Sequence, residues 1–187
     1  AMKYAIGPRQ QLAMRTIFNV LGPLTNPAGV LRQVLGVFSP ALCDVMAAAL
    51  RDLGSEHVMV VHGLDGLDEI SVSAKTTVCE LANGELTHYE IDPADFSHAH
   101  DSVADLCVKD ADESAALIRA ALGGDTSDRS VKARSIIAMN AGAGLYVGGQ
   151  ADSLEAGIEL AMDAMHSGKA LQTLKAFADL TQAAGGA

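Results

Sequence analysis

The sequence predicts an α/β fold: a mixed, mainly parallel sheet flanked by helices, with an antiparallel hairpin attached. Three observations carry that prediction. Two short apolar runs with β-branched residues, 33–38 and 57–62, bracket an amphipathic helical stretch. Asn83-Gly84, the strongest short hairpin signal in the chain, joins two strand-like segments. A mostly apolar helix over 131–147, hydrophobic on nearly every side, is expected to lie inside the domain against the sheet.

In chain order, Pro8 suits the first turn of a helix running through Gln10 and Arg15 towards Phe18. Gly22-Pro23 and Asn26-Pro27 then predict a stiff, twice-broken loop, because proline fixes φ and pushes the preceding residue away from the helical region. The strand over 33–38 follows. Ser39-Pro40 reads as a cap with proline at the first helical position. Leu42, Val45, Met46, Ala49, Leu50 and Leu53 fall at helical spacing, and Gly54 closes the helix. With the strand over 57–62 this makes a β-α-β unit, which requires the two strands to be parallel.

The hairpin arms are expected over 77–81 and 86–91, where Thr87, Tyr89 and Ile91 alternate with Leu86, His88 and Glu90. The stretch 92–110 holds turn residues with little periodicity. A helix over 113–122 takes Asp112 as its cap and stops at Gly123-Gly124, and the apolar helix over 131–147 follows. Ser153 and Ser167 read as caps of two further helices, over 154–165 and 169–181, and the tail from Ala183 is expected to fray.

Composition bounds the function. The 187 residues suit one domain with a sizeable core. Thirteen Lys and Arg against 23 Asp and Glu give a formal net charge of −10, which argues against nucleic acid as the main partner. Cys43, Cys79 and Cys107 form no C-x-x-C pair, so neither a disulfide framework nor a zinc site is expected. The six histidines show no metal-like spacing, His98-Ala99-His100 reads as loop surface, and no Cys-His or Ser-His-Asp arrangement stands out. No apolar run approaches the roughly 20 residues that span a bilayer, and no secretory leader is visible. The expected compartment is the cytoplasm, without membrane contact.

Three features invite functional readings. Asp68-Glu69 lies in a glycine-rich turn just past the second strand, where open α/β sheets gather their ligands. Adjacent carboxylates there suit Mg²⁺, although a solvated acidic turn has the same sequence. Asp65 stands nearby. Arg9 could pair with a planar carboxylate through its guanidinium or simply be a surface cation. Gly142-Ala143-Gly144 and Gly148 lack the G-x-G-x-x-G spacing and a preceding strand, so close helix packing explains them better than a nucleotide.

The run Arg15-Thr16-Ile17-Phe18-Asn19-Val20-Leu21-Gly22-Pro23-Leu24-Thr25-Asn26-Pro27 resembles the signature of the anthranilate phosphoribosyltransferase family. Gly63-Leu64-Asp65-Gly66-Leu67-Asp68-Glu69-Ile70 is similar to a second family segment, and the likeness extends to about Ala184. The resemblance implies transfer of phosphoribosyl from phosphoribosyl pyrophosphate to the amine of anthranilate, with release of pyrophosphate, in tryptophan biosynthesis. It implies that Asp68 and Glu69 hold Mg²⁺, that Arg9 meets the anthranilate carboxylate, and that Gly22 and Pro23 wall the acceptor channel. No side chain of this chain is assigned as catalytic. Arg15, Asn19 and Asn26 belong to the signature, and capping or loop bracing explains them equally well.

The family's G-T-G-G-D phosphate segment and its helical dimerisation domain have no counterpart in the 187 residues. The expectation is that this chain alone does not turn over substrate, and that the full enzyme is a homodimer through the absent domain. Two alternatives stand beside this reading: a pyrimidine-nucleoside phosphorylase relative, and a non-catalytic relative that binds nucleic acid.

Overall fold

The computed structural model describes residues 18–185. The helix expected from Pro8, together with Arg9 and Arg15, lies outside the described residues. The elements are α1 (Phe18–Leu24), β1 (Arg32–Gly36), α2 (Ala41–Asp52), β2 (His57–Gly63), β3 (Thr76–Ala82), β4 (Glu85–Ile91), α3 (Ala111–Leu122), α4 (Asp128–Val147), α5 (Leu154–His166) and α6 (Lys169–Gly185). Short 3-10 turns at Pro93–Phe96 and Ala104–Leu106 break up the long connection after β4.

The four strands lie in the order β1-β2-β3-β4. The β-α-β unit is parallel as expected, with Arg32 opposite His57 and Gly36 opposite Val61. The rest is antiparallel: β2 pairs with β3, and β3 with β4 through the hairpin. The expectation of a mainly parallel sheet is therefore corrected to one parallel pair in a mixed sheet. The reason is the form of the connections. Only the β1-to-β2 link contains a helical crossover; the link over 64–75 holds no helix and folds back on itself, Leu64 N bonding Lys75 O, and a two-residue turn joins β3 to β4, so both strands return antiparallel. Asn83 (φ 53°) and Gly84 (φ 82°) both adopt the left-handed region that such a turn demands.

Alternation along β2 divides the core. Val58 and Val60 face α2 and join Leu35, Val37, Cys43, Met46, Ala47, Leu50, Cys79 and Leu81. Met59 and Val61 face the other way, into a layer with Ile70, Val72, Val78, Ala138, Met139, Ala143 and Val147. The molecule is thus α2, then the sheet, then α4 with α5 behind it. Burying each large apolar side chain of these layers contributes about 1.5–3 kcal/mol.

Several helix assignments move. The buried face of α2 is Cys43, Met46, Ala47 and Leu50, whereas Val45 and Leu53 are exposed. The expected stripe counted every large apolar residue, but the sheet accepts a face rotated towards Cys43. Gly54 (φ 90°) ends α2 as expected, its N–H bonding Arg51 O at 2.9 Å. The cap of α3 is Asp110, which accepts from Glu113 N at 2.9 Å, not Asp112. Helix α4 begins at Asp128 under a Ser127 cap, earlier than its apolar portion suggests. Ser153 caps α5 as expected. Ser167, however, closes α5 from its carboxyl end and donates to Ala164 O, while α6 runs to Gly185, past the expected end at Thr181.

Candidate active site

The loop between β2 and β3 is pinned at several points. Gly63 N bonds Leu67 O at 2.9 Å and Leu64 N bonds Lys75 O at 2.8 Å, closing the loop on itself. Asp65 then ties the two arms together: its Oδ2 accepts from Ser71 Oγ and, at 2.7 Å, from Ser73 Oγ, and its Oδ1 faces Leu67 N. Burial pushes the Asp65 carboxyl up, but these hydrogen bonds outweigh it and hold the group below its ordinary value.

The second anchor is long-range. Asn140, on α4, accepts from Ile70 N and donates to Ile70 O, both at 2.9 Å. The third is steric. A Cβ on Gly36, at the carboxyl end of β1, would lie 1.6 Å from the Asp68 carbonyl oxygen, so only glycine lets the loop seat there.

This frame presents Asp68 and Glu69 to solvent just outside the carboxyl ends of the parallel strands. Among the described residues neither carboxylate has a hydrogen bond or an ion pair. Glu69 as a residue is exposed, yet the protein mass behind its carboxyl desolvates it in part, and with neighbouring Asp68 this pushes its pKa above the ordinary value. Two adjacent, mutually repelling carboxylates on a braced loop are a donor set that fits a hard divalent cation such as Mg²⁺.

The other expected site residues are placed differently. Gly22 and Pro23 lie in α1, which continues through Leu24, so the stiff loop predicted to break at Gly22-Pro23 begins only at Thr25. Pro23 is tolerated because it sits at the last turn, where Thr25 Oγ1 and N–H cover the Leu21 and Gly22 carbonyls. Asn26 braces the loop beyond, accepting from Ala28 N at 3.0 Å. Pro23 shares a hollow with Leu31 and Gln33, towards the amino end of β1, whereas Asp68 packs at its carboxyl end. Pro23 and Asp68 thus lie towards opposite ends of β1, and Arg9 lies outside the described residues.

Gly36 and Asn140 escaped the sequence reading because only folding brings them to the loop, and Ser71 and Ser73, within the loop, because their spacing from Asp65 does not mark them as its partners. His98 and His100 were expected at the loop surface and are half-buried; His100 Nε2 lies 2.9 Å from Ser135 Oγ. Of the small residues in α4, Gly142 does serve close packing, since a Cβ there would meet Ile158 N at 2.6 Å, but Gly144 has open space.

Residues 1–171 match the glycosyl transferase family, a/b domain. The chain belongs to that family. It is 55% identical over 181 residues to the anthranilate phosphoribosyltransferase of Teredinibacter turnerae, covering 97% of this chain and 53% of that protein. The Azotobacter vinelandii anthranilate phosphoribosyltransferase is 52% identical over 97% of this chain and 52% of its own length. Among solved structures, the Saccharomyces cerevisiae enzyme in complex with PRPP and Mg superposes with a TM-score of 0.81 at 29% identity, over 95% of this chain and 50% of that one. The same yeast enzyme with 4-fluoroanthranilate gives a TM-score of 0.81 at 28% identity. The chain spans about half the length of the curated relatives it matches.

Proposed function

We propose that the protein carrying this chain is an anthranilate phosphoribosyltransferase, and that the Asp68-Glu69 loop is its metal seat. The observation that carries the proposal is the adjacent carboxylate pair, without a hydrogen-bond or ion-pair partner among the described residues and held by Asn140, Gly36 and Asp65, in a chain similar to an enzyme solved with PRPP and Mg. In the reaction, the amine nitrogen of anthranilate bonds to ribose C1 while the bond from C1 to the pyrophosphate oxygen breaks, and the amine gives a proton to solvent. Mg²⁺, when bound, neutralises charge on the departing pyrophosphate. This chain contributes the two carboxylates that hold it and the rigid loop that fixes their position. Catalysis of this kind rests on positioning and charge neutralisation, not on a covalent nucleophile.

On the same reading Arg9 receives the anthranilate carboxylate as a bidentate partner, and Gly22 and Pro23 wall the acceptor channel. Residues 1–187 alone are proposed to be inactive because they contain no G-T-G-G-D segment. The working enzyme is proposed to be a cytoplasmic homodimer without a nucleic-acid partner, in keeping with the net charge of −10. No helix among the described residues is long and apolar enough to cross a membrane.

The test is turnover by the gene product that contains these residues, followed as loss of anthranilate fluorescence with PRPP and Mg²⁺. Asp68→Asn with Glu69→Gln is expected to abolish it. Phosphorolysis of thymidine in place of anthranilate consumption, or full activity in the double variant, would overturn the reading. Turnover by residues 1–187 alone would overturn only the inactive-alone part.

A further inference from the structure

A second cluster of ligating atoms lies on the α2 side of the sheet. Asp44 projects from the first turn of α2, Cys79 from β3, and His88 from β4, where it is the direct cross-strand partner of Cys79. Asp44 Oδ1, Cys79 Sγ and His88 Nε2 all lie within 4.8 Å of one another. The individual separations are 2.6 Å from His88 Nε2 to Asp44 Oδ1 and 3.4 Å from His88 Nε2 to Cys79 Sγ. Asp44 and His88 are exposed and Cys79 is buried behind them, so the cluster opens directly to solvent.

Both contacts use the same ring nitrogen. One Nε2 carries at most one proton and can donate to only one partner, so the trio cannot work as an Asp-His-Cys proton relay, which needs both ring nitrogens. What the arrangement does satisfy is a cation at the point the three atoms share. We propose that Asp44, Cys79 and His88 form a binding site for a borderline-soft divalent transition metal of the Zn²⁺ type, with its fourth position open to water.

Thiolate and imidazole select such an ion over Mg²⁺, which takes oxygen ligands. Bond lengths of about 2.1 Å to nitrogen and about 2.3 Å to sulfur place those two atoms about 3.6 Å apart around a tetrahedral ion. The His88–Cys79 separation of 3.4 Å is already close to that. The shorter Asp44–His88 contact opens by rotation of an exposed side chain. Binding exchanges the Cys79 thiol proton, released to solvent, for the metal–sulfur bond. An ion there ties the start of α2 to both hairpin strands. The site draws on none of the residues that hold the Asp68-Glu69 loop, so its fate and that of the proposed enzymatic reading are separable.

The experiment is titration of the purified chain with Co²⁺ in excess Mg²⁺, followed by the thiolate-to-cobalt charge-transfer band and by displacement with Zn²⁺. The expected result is one Co²⁺ per chain with the band present, and no competition from Mg²⁺. Cys79→Ser removes the band, Cys107→Ser leaves it, and Asp44→Ala and His88→Ala each weaken binding by at least ~10-fold. The last two substitutions change exposed residues, so they keep the test decisive if Cys79→Ser does not fold. Absence of the band in the unaltered chain, or weakening by only one of Asp44→Ala and His88→Ala, would overturn the site.

Discussion

Asn140 holds Ile70 by both backbone groups: its Oδ1 accepts from Ile70 N and its Nδ2 donates to Ile70 O, each at 2.9 Å. Seventy residues of sequence separate the pair, and Ile70 immediately follows Glu69. One amide side chain on α4 therefore fixes the exit of the loop that carries both acidic residues. Asn140→Ala leaves two backbone groups of a fully buried residue unpaired, which costs about 1–3 kcal/mol. The expected outcome is a lower urea midpoint together with weaker Mg²⁺ binding in a calorimetric titration. Unchanged Mg²⁺ affinity would show that Asn140 braces the fold without positioning the carboxylates.

Gly36 controls the other side of the same loop. Alanine there meets the Asp68 carbonyl oxygen at 1.6 Å, so the loop must move. Overpacking of this kind costs about 1–3 kcal/mol, and Gly36→Ala is expected to lose Mg²⁺ binding along with that stability. Gly22→Ala is the contrasting case. It has nothing within 4 Å and lies in a helix, so stability should hold or rise by up to about 1 kcal/mol. If Gly22 lines the acceptor channel, the KM for anthranilate rises in that variant while the melting temperature does not fall. An unchanged KM would remove Gly22 from the site.

Two of the loop's three carboxylates, Asp65 and Glu69, have pKa values shifted in opposite directions. Asp65 is held below its ordinary value of 3.8, so the stabilisation it gives is complete above that value and drains away as pH falls through the lower folded pKa. Asp65→Asn should remove this acid-range component from a pH series of unfolding curves. Glu69 is pushed above its ordinary value of 4.5, so its ionisation costs stability as pH rises from there through the higher folded pKa. A divalent cation relieves that cost. Mg²⁺ affinity should accordingly climb with pH above the ordinary glutamate range and then level off, and Glu69→Gln should flatten the profile. Affinity independent of pH in the unaltered chain would contradict the assignment of Glu69 as a ligand.

Helices α4 and α5 meet through two glycines. A Cβ on Gly142 would lie 2.6 Å from Ile158 N, and one on Gly157 would lie 2.3 Å from Gly142 O. These are backbone atoms, which cannot swing aside. Gly142→Ala should separate the helices and cost about 1–3 kcal/mol in chemical denaturation. Gly144→Ala, facing open space two residues away, should cost nothing; equal losses at both positions would point to helix propensity instead of packing.

Much of this molecule is local and was legible before folding was considered. The parallel β1-α2-β2 unit follows from periodicity and punctuation, because a strand, an amphipathic helix and a second strand joined by short turns have few other ways to bury their apolar faces. Asn83-Gly84 determined the hairpin through the left-handed dihedrals those two residues tolerate. The acidic pair Asp68-Glu69 was visible as a candidate because its position after β2 is itself a local fact.

What the sequence left open was every relation between distant segments. Whether the sheet was mainly parallel depended on which edges β3 and β4 would take. Whether α2 buried Val45 or Cys43 depended on a rotation that periodicity leaves undetermined within a turn. The brace of Asn140 on Ile70, the seat Gly36 leaves for Asp68, and the convergence of Asp44, Cys79 and His88 exist only once α4, β1, α2 and the hairpin are packed. Spacing along a chain encodes which face a residue occupies, whereas which faces meet is decided by the shapes of the buried surfaces.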